Sequence, residues 1–133
     1  MPHENVELVS TFMAAANQRD FETMDGLISD ELVFHSTFAA SEGRVFAGHA
    51  GLREYFTSLE GSFDPLELPV EEIIDAGEDQ VVLLVRVCGR GKASGIPIDH
   101  RFGQVWKIVD GLVRRIVSYS DPSDALNAVR LRE

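Results

Sequence analysis

Cysteine is almost missing from this chain of 133 residues: there is one, Cys88. A single thiol excludes an internal disulfide and leaves too few sulfur ligands for a cysteine-based metal site. Its setting in the apolar run VVLLVRVC reads as that of a small buried hydrophobe. Positive charge is the second shortage, with 12 Lys and Arg against 22 Asp and Glu, a net charge of −10 and a pI near 4.7. Nucleic acid and anionic membrane surfaces attract proteins through a cationic field, so neither is expected as a partner, and the excess acid reads as a solubility device. Long apolar runs are missing too. Nothing approaches the roughly 20 residues that span a bilayer, and the start MPHENVELV lacks the basic and apolar regions of a leader, so a cytoplasmic protein is expected. The four histidines, His3, His35, His49 and His100, show neither helical pairing nor an acidic partner at ligand spacing, so no metal and no other cofactor is expected. The stretch Gly89-Arg90-Gly91-Lys92-Ala93-Ser94-Gly95 lies between two strands rather than before a helix. It reads as a hairpin lip, not a phosphate loop.

What the chain does have is periodicity. Val6, Val9, Phe12, Met13 and Ala16 recur at spacings of three and four, which predicts a helix over 4–18. Asp20 predicts the cap of a second, shorter helix bearing Phe21, Met24, Leu27 and Ile28. A first strand is expected over Leu32–Thr37, ending in His35, Ser36 and Thr37. A loop with Gly43 and Gly48 then leads to a third helix, with Leu52, Tyr55, Phe56 and Leu59 on one face. From Leu66 onward the chain reads as strand: Leu66–Ala76, a turn at Gly77-Glu78-Asp79, the covered run Gln80–Cys88, then Ile98–Ile108 and Leu112–Ser120. Asp121-Pro122-Ser123-Asp124 starts a closing helix, with Asp121 as cap and Pro122 at the first helical position. One domain over 1–133 is expected, a length that buries roughly two-thirds of the unfolded surface. Helices first and hairpins after imply an α+β fold, with the helices on one face of a strongly curved sheet. Strands this long curl into a cone, and its interior is the default ligand site.

The stretch from Ile98 to Leu126 carries the candidate chemistry. Alternation places Ile98, His100, Phe102, Gln104, Trp106 and Ile108 on one face, apolar but for two embedded polar groups, as a pocket wall is. The opposite face, with Asp99, Arg101, Gly103, Val105, Lys107 and Val109, reads as outer surface or subunit contact. His100 is the candidate general acid or base, because its ordinary pKa lies near 6.5 and this register turns it into an apolar cavity. A hydrogen-bonded rim histidine is the alternative. The turn decides what joins the wall. A two-residue turn at Asp110-Gly111 pairs Val109 with Leu112 and brings Arg115, Val117 and Tyr119 inward; a three-residue loop with Gly111 left-handed pairs Ile108 with Leu112 and brings Ile116, Ser118 and Ser120 inward. The second is favoured because it keeps Arg115 away from Trp106 and Gln104. It also sets Asp99 opposite Asp121 and Arg101 opposite Tyr119 on the other face, where an ion pair and a helix cap are the simplest reading.

The element order and the segments DFETMDGLISDELVFHS, FAGHAGLREYF, GRGKASGIPIDHRFGQVWKIVDG and YSDPSDAL resemble the nuclear transport factor 2-like superfamily. Within it the SnoaL-like group is most similar, a group named for a polyketide cyclase and related to ketosteroid isomerases. The resemblance covers nearly the whole chain. It implies a cone-shaped α+β barrel, with three N-terminal helices on a mixed, mostly antiparallel sheet, and a homodimer is expected. It specifies activity poorly, since the superfamily holds isomerases, cyclases, hydrolases, dehydratases and proteins without known chemistry. The isomerase residues are not kept: the tyrosine of the first helix falls on Phe12, the aspartate base on Ser36 and the protonated aspartate near Gln104. Neither serine nor glutamine can be that base, although Gln104 can still donate a hydrogen bond. The resemblance also places Ser36, Ile116, Ser118 and Ser120 inside and leaves His35 at the surface.

Three functions fit these residues. One is an acid–base enzyme acting on a small, largely apolar molecule, with His100 as proton carrier, Gln104 and Ser118 as polarising donors, and Phe12, Phe56, Phe102 and Trp106 as walls beside Ser36 and Ile116. The second is a binding module with the same pocket and no chemistry. The third is a dimeric scaffold with a vestigial cavity. A polar group aimed into an open cavity supports the first two, and an interior filled by side chains supports the third.

Overall fold

Apolar periodicity becomes helix and strand in a computed structural model that describes residues 2–36 and 44–130. The chain runs α1 (Pro2–Gln18), α2 (Phe21–Asp25), β1 (Ile28–His35), β2 (Val45–Ala47), α3 (Gly48–Ser62), β3 (Phe63–Glu67), β4 (Val70–Gly77), β5 (Gln80–Gly91), β6 (Pro97–Val109), β7 (Leu112–Tyr119) and α4 (Pro122–Arg130). One strongly curved sheet is ordered β2-β1-β7-β6-β5-β3, with β4 also paired to β5. β1 runs parallel to β7, and the other described pairings are antiparallel. This is the α+β architecture expected from the element order. No described helix is long and apolar enough to cross a membrane. Thr37 and Gly43, expected at the end of the first strand and in the loop after it, lie outside the described residues, as does the side chain of His3.

Several boundaries differ from expectation, each for a local reason. Asp20 does cap α2, accepting from the Thr23 backbone N–H at 3.2 Å. The helix ends by Gly26, however, so Leu27 follows it and Ile28 already belongs to β1. The expected strand Leu66–Ala76 is two strands, because the chain breaks at Leu68-Pro69 and a proline cannot donate to the ladder. β3 then pairs with the outer half of β5 (Leu66 with Gly89) and β4 with the inner half (Ile73 with Leu83). The segment before α3, expected as loop, contains β2 on the edge of β1.

β5 shows how one strand serves two cores. Val81, Leu83, Val85 and Val87 face the concave side, where they join α1, α2 and α3 in the main core, whereas Val82 and Leu84 face the convex side and meet Ala125 of α4. Helix α4 lies close on that outer face. A Cβ on Gly103 would sit 2.7 Å from the Ala125 Cβ and 3.2 Å from the Pro122 Cα, so only glycine allows the contact.

Neither form expected for the β6–β7 hairpin holds as drawn. Asp110 (φ 54°) and Gly111 (φ 76°) are both left-handed and form a two-residue turn that pairs Val109 with Leu112 and Ile108 with Val113. The register then slips: Lys107 pairs with Arg115, which makes Arg114 the extra residue of a β-bulge. Beyond the bulge Trp106 faces Ile116 and Gln104 faces Ser118. Ile116 and Ser118 therefore turn inward as expected, through a bulge instead of a three-residue loop, while Ser120 ends up exposed.

The close packing of α4 yields a prediction. Gly103→Ala should destabilise the protein by about 1–3 kcal/mol, as overpacking does, and should raise hydrogen exchange in α4 before the main sheet. Urea unfolding and amide exchange measure the two effects.

Candidate functional site

The concave face closes on a void of about 20 Å³. On this scale one water needs about 10–15 Å³, so the free cone has room for about one. Its walls are Phe12 and Met13 of α1, Phe34 of β1, Leu52, Tyr55 and Phe56 of α3, Leu68, and Phe102, Gln104, Trp106 and Ile116 of β6 and β7. The rings meet edge to face, the favoured arrangement of aromatic quadrupoles, with centroids 5.0 Å apart for Phe12 and Trp106 and 4.5 Å for Phe34 and Tyr55.

Two polar groupings are embedded in this apolar wall. The buried Trp106 indole donates from Nε1 to Gln104 Oε1 at 2.9 Å. An indole N–H can only donate, so the amide oxygen must face it. The Gln104 Nε2 then donates to Ser118 Oγ, also at 2.9 Å, and one of its two N–H bonds is used. Gln104 and Ser118 are 7 % and 3 % exposed, so both bonds are shielded from water. In the second grouping Tyr55 shares a hydrogen bond with Ser36, and burial drives its phenol well above the ordinary tyrosine range despite that bond. Tyr55 stays protonated at any physiological pH.

Of the candidate site residues, Phe12, Phe56, Phe102, Gln104, Trp106 and Ile116 meet around one void, while Ser36 and Ser118 stand behind it as hydrogen-bond partners. His100 does not join them. It shares the inward face of β6, yet it lies beyond the cone at an exposed rim, where its Nε2–H donates to the Ser120 carbonyl at 3.0 Å. The expectation that it faces an apolar cavity is corrected by its position near the outer end of the strand. Tyr55 is a core residue, 4 % exposed, and also lines the void. Its helical spacing beside Phe56 signals burial, but cannot tell wall from filler. The Asp99 and Arg101 pairings also change, because the bulge moves Tyr119 opposite Gly103. Asp99 binds Arg86 through both carboxylate oxygens, Arg101 binds Glu71 at 2.8 Å, and Asp121 caps α4 by accepting from the Ser123 N–H at 2.9 Å. Cys88 touches Asp99 at 3.7 Å. Desolvation and that carboxylate push its thiol up, away from a reactive thiolate. His49 lies between Asp25 at 3.5 Å and Asp30 at 2.9 Å, tying the start of α3 to the end of α2 and to β1.

Trp106 and Gln104 act as one unit, which a double-mutant cycle measures. Trp106→Phe and Gln104→Leu should each cost at least about 1–3 kcal/mol by leaving a buried polar partner unpaired. The double variant should be more stable than the two losses summed, by about 1 kcal/mol, in urea unfolding.

The profile of the SnoaL-like domain matches residues 9–116. No curated protein matches the chain by sequence. Among solved structures, TerC co-crystallised with polyporic acid is similar at 19% identity and TM-score 0.76, over 96% of this chain and 98% of that one. A protein of ketosteroid isomerase-like fold from Catenulispora acidiphila, in complex with trimethylamine, is similar at 12% identity and TM-score 0.75, over 91% and 90%. An NTF2-like protein of unknown function from Burkholderia pseudomallei reaches 16% identity and TM-score 0.77, over 95% and 97%. Likeness at this identity carries the fold alone. The profile spans most of the chain, and the fold is shared with an NTF2-like protein, so the chain belongs to the SnoaL-like domain family.

Proposed function

We propose that this domain binds one small, neutral, largely apolar molecule in its cone and carries out no acid–base chemistry there. The observation that carries this reading is the orientation of Gln104. Trp106 holds the amide oxygen, Ser118 takes one N–H of Nε2, and the second N–H remains for a hydrogen-bond acceptor in the void that Gln104 lines. A carbonyl or ether oxygen suits such a donor, and the aromatic wall suits a flat apolar body. Among the described residues lining the void Tyr55 is the one titratable group, and burial takes its phenol far from the range in which it exchanges protons near neutrality. His100, with its ring at the rim and bonded to a backbone carbonyl, is not assigned a proton-transfer role. TerC was crystallised with polyporic acid, and a related cone here is consistent with an aromatic oxygenated ligand.

The small void favours a second reading, a scaffold with a vestigial cavity. Binding in a contracted cone requires rings such as Phe12 and Phe102 to move, and that cost lowers the apparent affinity. Fluorescence separates the readings, because Trp106 is the single tryptophan of the chain and lines the void. Titration with a panel of neutral aromatic ketones, 1-tetralone among them, should quench Trp106 saturably, and Gln104→Leu should weaken the best binder by about tenfold, the value of one hydrogen bond. Linear quenching across the panel, alike in wild type and variant, supports the scaffold instead.

A further inference from the structure

The bulge in β7 also shapes the convex face. Strict alternation would send Arg114 and Arg115 to opposite sides of the sheet, but the extra residue leaves both exposed on the outer face. There they line one depression of about 460 Å³ together with Val33, His35 and Lys107. A second depression of about 240 Å³ adjoins it through Lys107 and Arg115 and adds Tyr119. Lys107 and Arg115 stand directly opposite each other across β6 and β7, a pairing in which like charges repel. Glu31 lies 3.5 Å from Arg114, but among the described residues neither the Lys107 nor the Arg115 side chain has an ion pair or a hydrogen bond. The chain carries only 12 Lys and Arg and a net charge of −10, yet three of those cations converge here with one carboxylate nearby. A bound anion relieves that repulsion.

We propose that this groove is an oxyanion site that takes a small molecule bearing phosphate or carboxylate groups, with Lys107, Arg114 and Arg115 as receptors. The arginine forks match the paired oxygens of either group, and Val33 and Tyr119 offer apolar contact to the rest of the molecule. The site lies across the sheet from the cone and stands independently of what the cone binds.

The test is titration with inorganic phosphate and, separately, with citrate, at an ionic strength held constant with sodium chloride, followed by amide chemical shifts and melting temperature. Saturable shifts confined to the outer residues of 33–35, 105–109 and 114–119, with a rise in melting temperature, are expected, and the tighter of the two anions identifies the group recognised. The double variant Lys107→Gln/Arg115→Gln should lose about tenfold in affinity, as should Arg114→Gln to a smaller degree. Without added anion at low salt, the double variant should melt no lower than wild type, because a repulsive pair has been removed. Three results overturn the proposal: shifts no larger than chloride alone produces, a response unchanged in the double variant, or a dimer in sedimentation velocity that the double variant dissociates.

Discussion

An indole N–H buried inside an apolar cone has to be satisfied, and much of the site follows from how. Trp106 is 1 % exposed and can only donate, so the nearest polar side chain must present an acceptor. Gln104, two residues earlier on the same face of β6, presents its amide oxygen. That choice forces the nitrogen the other way, toward Ser118. Replacing the tryptophan by an apolar ring would free the amide to turn over, and its nitrogen would lose its fixed direction. The same bond explains how a glutamine persists among phenylalanines: its cost of desolvation is offset by two bonds, each shielded from water.

The bulge at Arg114 is the second determinant, and it acts on both faces of the sheet. A plain two-residue turn would have paired Arg115 with Trp106 on the inward face, where an unpaired guanidinium would be ruinous in a cone whose described walls hold no carboxylate. One extra residue sends Ile116 and Ser118 inward and keeps both arginines out. Interior polarity and exterior charge are therefore set by a single local irregularity. Gly103 adds a constraint from the far side, since α4 sits on the strand pair at a distance that only a glycine permits.

Much of this was legible in the residues. The three-and-four spacing of Val9, Phe12 and Ala16, the alternation of Phe102, Gln104 and Trp106, and the caps at Asp20 and Asp121 each reflect a local rule that tertiary contacts left intact. Other features depend on contacts between distant segments. Whether a three-residue segment such as Val45–Ala47 becomes strand is decided by the edge of β1, and the break at Pro69 matters because two strands must share β5. A bulge leaves no mark in periodicity until the strand opposite is known, and so the inward serine was reached by the wrong turn. His100 shows the limit of alternation: it gives the face of the strand and says nothing of how far along it the cone extends.

The central claim, that Gln104 presents a fixed donor to an acceptor in the cone, is tested most directly by a crystal structure grown with saturating 1-tetralone. The expected result is the ketone oxygen about 2.7–3.2 Å from Gln104 Nε2, with the bond from Trp106 kept and Phe12 or Phe102 rotated to make room. A cone still closed with its rings unmoved, or a ketone lodged there without touching Gln104, would contradict it.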